Sequence, residues 1–291
     1  MILSGFMLTF AKSLMIFFVA QELIKNVKLK CCGIKEEEMT QKDKRAIIVG
    51  ASSGIGLEVA RLLLAEGWRL GVAARREERL LALKAEAPER VEVMTIDVTQ
   101  PDADQRLLTL VNRLGGMDLY FHASGIGKQN RTLEPDIELR TAETNALGFM
   151  RMVGAAYRYF AQLAPLPDGR RQEVGLLVAI TSIAGTKGLG PAPSYSGTKA
   201  LQATYLEALE QQARQRGLPI HILDIRPGFV DTALLNGTFK YPMLMRPEAV
   251  ARDIVRSIHK RRHVRVIDFR YRVLTFFWQL LPRWAWRRIK L

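Results

Sequence analysis

Cysteine is nearly missing from this chain: of 291 residues only Cys31 and Cys32 are cysteines, adjacent and close to the N-terminus. A body without cysteine has no disulfide framework and fits a reducing, cytoplasmic setting. Histidine is scarce too. His122, His221, His259 and His263 stand at no metal-ligand spacing with one another or with a carboxylate, so no metal centre is expected. Internal repeats and low-complexity tracts are absent. Long uncharged runs are also lacking: Met1–Ala20 is apolar, but Lys12 interrupts it, and Ser13–Gln21 falls far short of the roughly 20 residues that cross a bilayer. Without a basic leader or a small-residue cleavage site, a signal peptide is not supported either.

Residues 1–38 therefore read as an extension rather than part of a fold. The expectation is that translation begins at Met39, since Thr40-Gln41-Lys42-Asp43-Lys44 is an ordinary polar approach to a first strand. Lys35-Glu36-Glu37-Glu38 would be encoded by purine-rich codons, as a bacterial ribosome-binding site is. A membrane-associating helix and a folded element are the alternatives.

Acidic residues are outnumbered, 29 against 43 Lys and Arg, for a net charge of +14. The imbalance is local. Between Arg252 and Leu291 stand twelve Lys or Arg against Asp253 and Asp268, so +10 of the charge belongs to the C-terminal end. It describes a surface there, not the whole protein.

What is abundant is alternation. Short apolar, β-branched segments at 46–50, 69–74, 91–96, 118–123, 174–181, 219–225 and 264–267 read as strands. Helical patterns over 54–67, 77–87, 102–115, 138–165, 194–216 and 246–262 separate them. Prolines at 101, 165, 191, 193, 219, 227 and 247 fall at the edges of these segments. The fold class is α/β: a parallel sheet covered on both faces, with ligands expected at the carboxyl ends of the strands. One domain over 39–268, followed by a basic aromatic tail at 269–291, accounts for the chain.

Chemistry concentrates in a few places. Tyr195 and Lys199 are four apart on a helix and share one face. An ammonium beside a phenol favours the phenolate, so Tyr195 is expected to exchange protons nearer neutrality than free tyrosine. Gly50-Ala51-Ser52-Ser53-Gly54-Ile55-Gly56 follows the first strand and opens a helix, where backbone N–H groups can face a pyrophosphate. At the end of the second strand Ala74 supplies no carboxylate for a free ribose hydroxyl, while Arg75 offers a fork suited to a phosphate. NADP(H) is therefore favoured over NAD(H). Arg76 is either a helper or plain surface, and Asp97-Val98, after the third strand, is either an adenine edge or, for Asp97, a cap.

Gly50, Gly54, Gly56, Asp97, Asn145, Ser182, Tyr195, Lys199 and Pro227-Gly228 followed by Thr232, in this order and at these spacings, resemble the short-chain dehydrogenase/reductase family over about 45–268. The resemblance implies a Rossmann-type, doubly wound domain with a seven-stranded parallel sheet. It implies that Tyr195 is the general acid or base, that Lys199 lowers its pKa and binds the nicotinamide ribose, and that Ser182 polarises a carbonyl. Asn145 would help hold a relay water beside Lys199. Ser52, Ser53, Ile55, Ala123, Gly125, Pro227, Gly228, Val230 and Thr232 would border the dinucleotide. One departure stands out: His122-Ala123-Ser124-Gly125 replaces the family's usual Asn-Asn-Ala-Gly, so imidazole takes the place of an amide.

The expected activity is reduction of a carbonyl, or oxidation of an alcohol, on a nonpolar substrate. Its walls would be Gly188–Pro193 and the apolar loop Ala233–Met245. A noncatalytic NADPH sensor or a membrane-surface scaffold is the alternative, against which the complete set of reactive residues argues. Resemblance implies a homodimer or homotetramer. The tail interleaves Phe276, Phe277, Trp278, Trp284 and Trp286 with arginines. It suits either peripheral contact with the inner face of a membrane or packing on its own domain; no nucleic-acid-reading motif accompanies it.

Overall fold

Seven of the apolar segments pair side by side in the computed structural model, which describes residues 44–163, 175–235 and 241–289. The expectations for residues 1–38, the cysteine pair included, lie outside the described residues. The strands are β1 (Arg45–Val49), β2 (Arg69–Ala74), β3 (Val91–Thr95), β4 (Leu119–His122), β5 (Gly175–Ile180), β6 (Ile220–Pro227) and β7 (Val264–Ile267). They form one sheet in the order β3-β2-β1-β4-β5-β6-β7, every neighbouring pair parallel. Strand order reverses between β1 and β4, which opens a crevice beyond their carboxyl ends.

The helices are α1 (Gly54–Ala65), α2 (Glu77–Glu86), α3 (Ala103–Leu114), α4 (Pro135–Ala142), α5 (Phe149–Ala161), α6 (Pro193–Gln215), α7 (Pro247–His259), α8 (Phe269–Leu280) and α9 (Arg283–Trp286). Successive strand residues point to opposite faces, and β1 shows why both must be covered. Ile47 and Ile48 are each fully buried, Ile48 in a core with Leu63, Ile254 and Tyr271, Ile47 in a second core with Leu110, Phe149 and Leu209. Each such burial favours folding by about 1.5–3 kcal/mol. A polar residue at either position would leave one layer of helices without its seat.

Two segments depart from the simple parse. The helix expected over 138–165 is α4 and α5 joined by a π-helical stretch, Glu143–Gly148. The wider turn rolls Asn145 to full burial instead of leaving it to the ordinary helical phase. The tail is helical and packs on its own domain: Tyr271 of α8 is fully buried, and Leu274 and Trp278 pack against the same core as Ile48. No helix among the described residues is long and apolar enough to cross a membrane.

Candidate active site

The crevice at the strand ends is a continuous cavity of about 820 Å³. One end is the turn between β1 and α1. Gly50 has φ +96°, and a Cβ there would lie 2.6 Å from the Ser124 backbone nitrogen, so a side chain is barred by both conformation and space. A Cβ on Gly56 would lie 2.3 Å from the Gly50 oxygen. These contacts draw α1 onto the turn and present its N-terminus to the cavity. Ser53 stands at the N-cap but makes no capping bond. Instead, Arg76 donates to Ser52 Oγ at 3.0 Å and Ser53 Oγ at 2.8 Å.

That last contact shifts an expectation. Arg75 is exposed and borders the cavity, but Arg76 is the arginine that reaches the glycine turn. Asp97 borders the cavity too, with Oδ1 taken up by the Thr99 amide at 3.0 Å and hydroxyl at 2.8 Å. Asp97 thus closes the turn after β3 and does not cap the next helix, whose N-cap position is Asp102. Val98, Ala123, Gly125, Pro227, Gly228, Val230 and Thr232 lie along the same wall. Thr232 faces the turn directly, its Cγ2 3.1 Å from where a Gly54 Cβ would be.

Ser182, Tyr195 and Lys199 meet in the middle of the cavity. Ser182 caps the short 3₁₀ turn after β5, its Oγ accepting from the Ala184 amide at 3.1 Å, and it hydrogen-bonds Tyr195. Lys199 Nζ lies 5.8 Å from the centre of the Tyr195 ring. It donates to the Ile180 carbonyl at 3.0 Å and to Gln202 Oε1 at 2.9 Å. Burial pushes the lysine down to about 8, with the Asp224 carboxylate opposing.

The phenol does not behave as the Tyr195–Lys199 spacing alone suggests. Burial pushes Tyr195 above its ordinary value, only partly offset by the Ser182 hydrogen bond. The ammonium donates to a carbonyl and an amide rather than to the phenol. A protonated donor at neutral pH is the result.

Asn145 is not on the cavity wall. Its side chain accepts from the Ile126 amide at 2.9 Å and donates to the Ile126 carbonyl at 2.7 Å, clamping the strand end after β4. A further side chain, Gln202, stands between Asn145 and Lys199. Gln202 Nε2 donates to the Asn145 carbonyl at 2.7 Å while the same amide's oxygen accepts from Lys199. Gln202 is fully buried, and its signal was present in the sequence: it lies three residues beyond Lys199, on the same helix face. Asp224, which receives the Thr181 hydroxyl and Arg226 Nε, is a second buried polar partner that strand alternation alone did not single out.

His122 is buried behind the wall. Its Nδ1 lies 2.8 Å from the Tyr120 hydroxyl and its ring meets Phe149 edge-on at 5.0 Å. Burial, then the Lys199 charge, hold it at about 3, with the Ser124 backbone opposing; it is neutral imidazole at any physiological pH.

Leu189, Pro191, Leu234, Pro242 and Met243 give the far end of the cavity apolar walls, joined by Leu274 and Trp278 of α8; Lys128, Gln129 and Arg131, on the loop that bonds Pro191, also line the cavity. Residues 236–240 of the expected lid lie outside the described residues. Tyr271 fastens this end: it donates to the Pro242 and Met243 carbonyls at 2.9 and 3.0 Å and accepts from the Phe229 amide at 3.2 Å. A Cβ on Gly228 would come within 2.2 Å of its ring. Lys187 donates to the Leu281 carbonyl at 2.9 Å, and Trp286 Nε1 to the Gly188 carbonyl at 2.8 Å. The tail is part of the wall.

Comparison with known proteins agrees with this geometry. Residues 44–241 match the family described as short chain dehydrogenase. An uncharacterized oxidoreductase of Myxococcus xanthus is 34% identical over 225 residues, 74% of this chain and 85% of that protein. Another, from Listeria monocytogenes, is 32% identical over 205 residues, 68% of this chain and 79% of its own. One from Staphylococcus aureus is 28% identical over 235 residues, 79% and 97% respectively.

Proposed function

Because the chain belongs to the short-chain dehydrogenase family of oxidoreductases, which use a nicotinamide dinucleotide, we propose that it is an NADPH-dependent reductase of nonpolar carbonyl compounds. The observation that carries this reading is the meeting of Ser182, Tyr195 and Lys199 in one cavity, with the glycine turn at one end and an apolar chamber at the other.

The residues fit the cofactor. The N–H groups at the start of α1 are left uncapped by Ser53, and the positive end of a helix dipole suits a pyrophosphate. Arg76, already bridged to Ser52 and Ser53, joins Arg75 and two hydroxyls into a cradle for a phosphate monoester on the adenosine ribose. Ala74 brings no carboxylate to repel it. These features favour NADPH over NADH.

Bound NADPH supplies the hydride that reduces the carbonyl carbon. As the oxygen gains charge, the Ser182 hydroxyl donates to it and Tyr195 transfers its proton. A phenol pushed up by burial remains protonated at neutral pH, yet it is still far more acidic than the alcohol being formed, so the transfer runs downhill. Lys199, charged below about pH 8, stabilises the phenolate left behind. Asn145 and Gln202 position rather than react: one clamps Ile126, the other holds the ammonium against the helix. The chamber bordered by Leu189, Leu234, Leu274 and Trp278 admits an apolar substituent and excludes water.

Screening NADPH oxidation across aliphatic and aromatic aldehydes and ketones tests the reading, with Tyr195→Phe as the control. The variant should lose at least 10²-fold in kcat while NADPH affinity, read by fluorescence, stays within about twofold. Activity that survives the substitution would remove Tyr195 as proton donor.

A further inference from the structure

Helix α8 has two apolar faces, and only one is used. Tyr271, Leu274, Thr275 and Trp278 turn inward, where Leu274 and Trp278 border the cavity. Phe269, Phe276, Phe277 and Leu280 turn outward, with Phe269 70% and Leu280 65% exposed, and Trp284 of α9 continues them at 60%. Phe276 and Phe277 touch each other edge-on, with ring centres 5.6 Å apart. So much aromatic surface left to water on one short helix has a purpose other than folding.

The rim of that face is cationic. Arg270, Arg272, Arg283, Arg287 and Arg288 are all exposed, and after Asp268, which pairs with Arg270, no acidic residue occurs to the end of the chain. Charge decides among occupants. A second copy placed on this face by a two-fold axis would set five arginines against five, which is repulsive. Anionic lipid headgroups complement the arginines, while the interleaved Phe and Trp side chains insert at the acyl boundary.

We propose that the outer face of α8 and α9 lies on an anionic membrane surface, and that the enzyme takes its carbonyl substrate from the lipid. The substrate class rests on the reductase reading; the docking surface does not. A single helix separates lipid from the reaction chamber: its outer residues contact the acyl boundary, its inner residues Leu274 and Trp278 form the chamber wall. A lipid-soluble ketone or aldehyde entering beside it never crosses bulk water.

Flotation of the full chain with phosphatidylcholine vesicles containing about one-third phosphatidylglycerol tests this, against vesicles of phosphatidylcholine alone. The expected result is at least tenfold tighter binding to the anionic vesicles, weakened severalfold as salt rises from about 0.1 to 0.5 M. Phe276→Ser/Phe277→Ser/Leu280→Ser should lose binding at least tenfold. These side chains border neither cavity nor cofactor turn, so turnover of a water-soluble aldehyde should be unchanged, while turnover of a long-chain aldehyde presented in anionic vesicles should fall by a similar factor. Equal vesicle binding by the triple variant overturns the proposal, since another segment then holds the lipid. So does a parent chain that ignores vesicles but self-associates, or binds RNA, through the same residues. Vesicle binding that is lost in the variant, with no NADPH oxidation by either protein, leaves the surface standing and sinks the reductase.

Discussion

Replacing Gln202 with leucine removes one of the two hydrogen bonds that hold the Lys199 ammonium. The shapes are similar, but leucine offers no oxygen to the ammonium, which now receives Gln202 Oε1 at 2.9 Å and the Ile180 carbonyl at 3.0 Å. A hydrogen bond to a charged group contributes about 1.5–3 kcal/mol, and 1.36 kcal/mol is one pH unit, so losing it lowers the lysine by about one to two units. Lys199 already stands at about 8 through burial, held up by Asp224. Tyr195 is displaced upward, and His122 is neutral, so neither titrates first on the alkaline side. Carbonyl reduction needs the lysine charged; its rate therefore falls as pH rises through the Lys199 value. The assay is kcat/KM for the carbonyl at saturating NADPH between about pH 5.5 and 9.5. In Gln202→Leu the alkaline limb should move down by about one to two pH units, with activity near pH 5.5 largely kept. Gln202→Glu should move the limb the other way, because a carboxylate favours the ammonium. Limbs that coincide in all three proteins, with NADPH affinity unchanged, would show that the amide does not govern the lysine.

The remaining predictions concern the acid side and the cofactor. His122 is depressed to about 3 against 6.5 in the unfolded chain, so between these values the unfolded state binds a proton the folded state refuses, and stability is lost as pH falls. His122→Asn should remove about 2–3 kcal/mol of the stability lost between pH 6.5 and 4.5, read by urea unfolding at each pH; identical pH slopes would contradict a buried neutral imidazole. Arg76→Ala should raise KM for NADPH roughly tenfold or more, the value of a lost charged hydrogen bond, and leave KM for NADH nearly unchanged. Equal effects on both cofactors would place the phosphate elsewhere.

Much of this was readable from residues alone. Seven strands and their parallel order follow from apolar runs such as Ala46–Val49 alternating with helical patterns, because period and length discriminate there. The glycine turn and the Tyr195–Lys199 face were equally legible, since their chemistry depends on local spacing. What escaped depended on orientation. Arg75 and Arg76 are indistinguishable until a strand end aims one of them at Ser52 and Ser53. The π-helical stretch that buries Asn145 has no period in the sequence to announce it. Spacing put Lys199 on the face of Tyr195 but not its hydrogen bonds, and these, not proximity, direct the charge. The tail left two readings open; its inner face packs on the domain while its outer face stays bare.

Tyr271, wedged over Gly228, ties two distant stretches of the chain together. The match to the short chain dehydrogenase family covers residues 44–241, yet the ceiling of the cavity is a helix that begins at Phe269. Machinery and ceiling are thus separate stretches of chain, joined by a phenol that grips Phe229, Pro242 and Met243 and by the Lys187 and Trp286 hydrogen bonds. Substitutions on the inner face of that helix should therefore change which molecule the cavity admits while leaving the glycine turn and the Ser182–Tyr195–Lys199 cluster as they are.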